Sequence, residues 1–298
     1  MVHRSHAPSG GPQPTTAPRT RARPHGLLAL QRSAGNRAVR ALIARDTVAT
    51  IGSERVRIAS KAEQADAERI INEMKTTFGV TFDSIAAQRT TRKHYGDMGA
   101  ATDEQLKSVE ARPWEYEELK AVERALKHFG PVLGERRKKS TLKSSPQEVV
   151  TVGKLTTAPD DDPKHPEDKT RGEYFKEAQT FALFEPAPDS DTSPAGLEGK
   201  AVHEIAHGVF GSQLEAFMKA TGYWEKLHVR RKKRVEGPPD GYADTNASED
   251  LAQSVMYFFT DPKRLKEGLP GRDAGTPGNP CPKRFAFIKG VVGGWTAK

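Results

Sequence analysis

Two imidazoles and a carboxylate stand in the order His203-Glu204-Ile205-Ala206-His207, and no other stretch of this chain is as ready to do chemistry. Helix positions four apart lie on one face a turn apart, so His203 and His207 can turn ring nitrogens to a single ion. Glu204 stays off that ligand set and can reach a water on the ion as general base. Zinc in a hydrolase takes three protein ligands and leaves a position for water, so a second element must supply one more donor. Glu249 is the better candidate, because a carboxylate lowers the charge of the site. His228 competes, but Arg230, Arg231, Lys232, Lys233 and Arg234 follow it, and such a run opposes the binding of a dication. Gln253, one turn beyond Glu249, can orient a ligand by hydrogen bonding.

These groups need elements to hold them. The stretch from Gly199 to Gly222 lacks proline and carries Val202, Ile205, Val209, Phe210, Leu214 and Phe217, which predicts one largely buried helix ending at Gly222. Asp244, Asn246 or Ser248 can cap a second helix running through Val255, Met256, Tyr257 and Phe258. Asp66 to Phe78 and Trp114 to Phe129 show apolar residues at helical spacing and serve as scaffold helices. Glu148 to Leu155 and Gln179 to Glu185 are rich in Val, Thr and Phe and read as strands. The polar loop between them contains Asp160, Asp161 and Asp162, which lack the alternating ligands of a calcium loop. Residues 261–281 are rich in Pro and Gly and read as a loop, after which Phe285, Phe287, Ile288, Val291, Val292 and Trp295 dock back on the body.

From about Gly172 to Phe259 the chain resembles the gluzincin zinc peptidases, in the branch that contains anthrax lethal factor and the Pro-Pro endopeptidases. The residues that carry this are AVHEIAHGVF, then Tyr242-Ala243, then NASEDLAQ. The resemblance implies an α+β, zincin-like fold with a small sheet and a zinc-dependent endopeptidase activity. Position for position, it makes His203, His207 and Glu249 ligands of one Zn²⁺ per chain, Glu204 the base, and Tyr242 the donor to the developing oxyanion. Gln253 stands where these families often carry an acid. In zincins an edge strand above the metal helix pairs with extended substrate, and Thr180 to Phe184 is the candidate here; an ordinary sheet strand is the other reading.

Charge separates the chain into two parts. Residues 1–45 hold eight arginines and no acidic residue, leaving 39 of the 47 basic residues against 39 acidic ones in the remainder. The net charge of +8 therefore describes a tail, and nothing points to a nucleic-acid-binding body. The expected organisation is a disordered basic tail over 1–48 and a metallopeptidase domain over 49–298, helical scaffold to 145 and catalytic part from 146. Within the tail, LLALQRSAGNRAVRALI resembles a motif of cargo proteins of extracellular contractile injection systems. That resemblance implies a toxin or effector loaded through residues 1–45, made in the bacterial cytoplasm and exported by a non-Sec route; a transit peptide or a plain basic tail would have similar composition. The alternative function is a non-catalytic cargo or structural component of such a particle, with the zincin-like fold used for binding; an intact Glu204 argues against it. Cys281 is the only cysteine, so no intrachain disulfide forms, and no apolar run approaches membrane-spanning length.

Overall fold

The computed structural model describes residues 47–133, 150–159, 171–185, 193–222, 242–268 and 280–296, together with Asp191, Glu236 and residues 238–240. Residues 1–46, the three aspartates 160–162, His228 and the run 230–234 lie outside the described residues, while Thr47 and Val48, expected in the tail, belong to a strand, Thr47–Ile51.

The architecture is α+β. Strands β1 (Thr47–Ile51) and β2 (Glu54–Ile58) form a hairpin whose turn places Gly52 at φ 61°, a left-handed conformation that favours glycine. Ser60 then caps helix α1 (Lys61–Glu73) by accepting from the Glu63 N–H, and the helix widens into a π turn over Met74–Phe78 before Gly79 stops it. Strand β3 (Thr81–Phe82) leads to α2 (Ser84–Met98), the short α3 (Asp103–Ser108), β4 (Trp114–Glu115) and α4 (Tyr116–His128). The stretch predicted as helical scaffold thus also builds a small sheet in the order β1-β2-β4. Trp114 begins as a strand residue, not a helical one, because its indole is fully buried and donates to the carboxylate of Glu54, 2.8 Å away.

A second sheet positions the site. Strands β5 (Thr151–Lys154), β6 (Gly172–Phe175) and β7 (Thr180–Leu183) join β3 in the order β3-β5-β7-β6, with β6 antiparallel to β7 and the other pairs parallel. Side chains alternate across such a sheet. Val152, Phe181 and Leu183 face the main core, while Ala182 and Phe184 enter a second cluster with Tyr95, Leu155 and Phe175. Of the two readings of residues 180–184, a substrate-binding edge and an ordinary sheet strand, the structure gives the second: β7 is interior, hydrogen-bonded on both sides and buried throughout. Among the described residues the edges of this sheet are β3 and β6, and β6 is the one that lines the cleft over α5.

Helix α5 (Pro194–Phe210) begins with Ser193 as cap and Pro194 in its first turn, a start five residues earlier than the apolar periodicity predicts. The single helix expected to reach Gly222 is broken after Phe210 by a 3₁₀ turn, Gly211–Gln213, and resumes as α6 (Leu214–Thr221). Glycine is a poor helix former, and Gly211 opens the 3₁₀ turn. After the 3₁₀ turn Tyr242–Asp244 comes α7 (Ala247–Thr260), whose Leu251, Ala252 and Val255 pack with Val202, Ile205, Ala206 and Val209 of α5 in the main core. The predicted loop after residue 261 contains a helix, α8 (Pro262–Glu267), capped by Asp261. The last helix, α9 (Pro282–Thr296), does return to the body, burying Ile288 and Trp295. Among the described residues no helix is long and apolar enough to cross a membrane.

Candidate metal centre

The local sequence places the donors. On α5, His203 and His207 are one turn apart with their Nε2 atoms 3.2 Å from each other. Of the three predicted caps of α7, Asn246 does the work: its side chain accepts from the N–H groups of Ser248 and Glu249. That cap fixes the backbone of the candidate ligand Glu249 itself. Glu249 Oε2 then lies 2.9 Å from His203 Nε2 and 3.5 Å from His207 Nε2.

These spacings test whether the three groups suit a metal ion. Donors at zinc-ligand bond lengths in a tetrahedron are separated by about 3.4 Å along each edge. The three observed edges, 2.9, 3.2 and 3.5 Å, bracket that value. All three residues could hold a metal ion, each offering one ligand atom. The outer ring atoms are also engaged: His203 Nδ1 lies 2.9 Å from Gln253 Oε1, and His207 Nδ1 lies 3.0 Å from Ser248 Oγ. An acceptor on Nδ1 holds the proton there and leaves the Nε2 lone pair for the ion.

The electrostatics favour a cation. Burial alone would lift the carboxyl of Glu249, but hydrogen bonds from His203 and His207, with their charge, outweigh it and hold the group well below the usual carboxylate range. Burial likewise opposes charge on His203, yet the bond to Glu249 and the charges of Glu204 and Glu249 raise its ring above the ordinary imidazole value. Glu204 behaves oppositely. Burial dominates there and raises its carboxyl, despite the two nearby imidazoles.

A cleft of about 490 Å³ opens over these groups, lined by Glu204, Tyr242, Ser248 and Leu214 with Gly172 to Tyr174 of β6 on one wall. Tyr242 is 58% exposed at its mouth, its ring centre 5.6 Å from that of His203. Partial burial, then the charges of Glu249 and Glu204, push its hydroxyl upward, so it stays a proton donor.

Two glycines, which the motif does not reveal, let β6 and α5 approach. A methyl group at Gly172 would stand 2.7 Å from Glu204 Cγ, and one at Gly208 would stand 2.9 Å from the ring of Tyr174. Asp240 is the other residue the sequence reading missed. Its only local signal is its place shortly before Tyr242, and no periodicity connects it to Gln253, whose amide it binds.

Compared with protein-family models, curated proteins and solved structures, the chain matches none.

Proposed function

We propose that this chain is a zinc-dependent endopeptidase of the gluzincin type. The observation that carries the reading is the convergence of His203 Nε2, His207 Nε2 and Glu249 Oε2 at tetrahedral-edge spacing beside the buried carboxyl of Glu204. Two imidazoles and one carboxylate form a donor set that hydrolytic zinc sites use. When bound, the ion supplies a Lewis acid toward water and the scissile carbonyl.

The chain's own residues do the rest. Glu204 takes the proton of the attacking water and delivers it to the leaving amine; a carboxyl that burial raises above its ordinary value holds a proton more readily between the two transfers. Tyr242, protonated and at the cleft mouth, donates to the oxyanion as it develops. Strand β6 offers its outer edge to an extended peptide, with Gly172 and Tyr174 forming the wall beside Glu204. The likeness of the N-terminal segment to injection-system cargo supports delivery as an effector by a non-Sec route.

The test is metal analysis together with peptide-library cleavage. One zinc per chain is expected, with cleavage lost in Glu204→Gln while its zinc content is kept. Full proteolysis by Glu204→Gln, or no zinc in the wild-type protein, overturns the reading.

A further inference from the structure

The carboxylate of Asp240 is divided between two tasks. Its Oδ1 accepts from the backbone N–H of Ala243 at 2.9 Å, which closes the 3₁₀ turn that carries Tyr242. Its Oδ2 accepts from the side-chain amide of Gln253 at 2.5 Å and from the hydroxyl of Tyr257 at 2.7 Å. The same Gln253 amide presents its oxygen to His203 Nδ1 at 2.9 Å. One carboxylate is therefore bonded, on one side, to the loop bearing the exposed tyrosine and, on the other, through one amide, to a ligand imidazole.

We propose that Asp240 is the positioning residue of this site: it locks the flip state of the Gln253 amide, thereby fixes which nitrogen of His203 carries the proton, and ties that choice to the placement of Tyr242. The reasoning is one of donors and acceptors. A glutamine amide has an oxygen end and an NH₂ end, and nothing in its shape prefers one orientation. A neighbour restricted to accepting decides it, and a carboxylate is such a neighbour. With the NH₂ end held by Asp240, the oxygen must face His203 Nδ1, so Nδ1 carries hydrogen and Nε2 offers its lone pair to the ion. Asp240 touches neither the donor atoms nor the cleft wall. Its hydrogen-bonded path to the ligand imidazole runs through Gln253.

Replacing Asp240 by asparagine changes one oxygen to NH₂ at nearly constant shape. The new amide can serve Ala243 or Gln253 as an acceptor, but not both. The backbone N–H of Ala243 cannot turn, whereas Gln253 can flip. In Asp240→Asn the NH₂ of Gln253 therefore faces His203, and Nε2 is left protonated. Adding Gln253→Glu removes the conflict, because a carboxylate at 253 accepts from both sides.

The proposal rests on the metal-binding reading above, and the experiment separates the two. Zinc affinity is measured by chelator competition for the wild type, Asp240→Asn and Asp240→Asn/Gln253→Glu, with the melting temperature of each zinc-free protein recorded. Asp240→Asn is expected to weaken zinc binding by about 10–100-fold, the range for residues that hold a ligand from behind. The double variant is expected to return to within about threefold of the wild type; a purely structural loss would not be rescued in this way. Equal affinity for wild type and Asp240→Asn, or a double variant no better than the single, overturns the proposal while leaving the metal site standing. A wild type that binds no zinc overturns both.

Discussion

Gly172 and Glu204 exclude each other's growth: a methyl group on residue 172 would stand 2.7 Å from Glu204 Cγ and 2.9 Å from its carboxyl carbon. Strand β6 thus leaves room for the Glu204 side chain by having no side chain at this position. Gly172→Ala is expected to shift the Glu204 carboxyl and lower kcat on the order of 10²-fold, the scale for a catalytic group displaced by about an ångström. Zinc affinity, set by other residues, should change by less than about threefold. Peptide turnover and zinc titration on the same preparation check the pair of outcomes.

Tyr242 sets its ring centre 5.6 Å from that of His203, and its hydroxyl hydrogen-bonds the side chain of Glu249. Tyr242→Phe keeps the ring and removes the donor. The expected loss is about 2–4 kcal/mol of transition-state stabilisation, read as a fall in kcat with little change in KM or in zinc affinity. Steady-state kinetics on one cleaved peptide measures it.

Arg284 of α9 clamps Asp250, the residue directly after the candidate ligand Glu249. Its Nε and Nη2 reach the two carboxylate oxygens at 2.7 and 2.5 Å, and both side chains are almost wholly buried, 2% and 0% exposed. Removing one partner of such a pair leaves an uncompensated charge and costs about 3–5 kcal/mol. Arg284→Ala should therefore melt well below the wild type and bind zinc more weakly, although it deletes no donor. Adding Asp250→Asn should recover part of the stability, as differential scanning calorimetry would show.

Glu198 ties α5, the helix of the candidate ligands His203 and His207, to α4. It accepts from Arg124 Nε at 2.6 Å and pairs with His128 Nε2 at 2.9 Å. Burial opposes its charge, but the bonds to Arg124 and His128 win and lower its carboxyl below the ordinary value of 4.5. A depressed acid stabilises the fold fully above its unfolded value, and the contribution fades as pH falls through the folded value. Glu198→Gln should thus cost about 1–2 kcal/mol near neutral pH, with the difference from wild type shrinking below about pH 4.5. Denaturant unfolding at pH 7 and pH 3.5 tests the sign.

What the sequence alone determined is whatever depends on neighbours along the chain. The facing of His203 and His207 follows from helical pitch, and the start of α7 from the side chain of Asn246, one of three caps the sequence allowed. The apolar spacing of α1 and α4 and the Val, Thr and Phe residues of β5 and β7 are local signals of the same kind. Tertiary structure decided everything that depends on which segments meet. Glu249 is 46 residues from His203, and only the packing of α7 on α5 brings their atoms to 2.9 Å. Strand order is equally non-local: residues 180–183 look the same at an edge or in the middle, and β6, short and half-buried, carries little periodicity to announce itself as the edge. The roles of Gly172 and Asp240 have no sequence signature at all, because each is defined by the atom across from it, a carboxyl on α5 and an amide on α7.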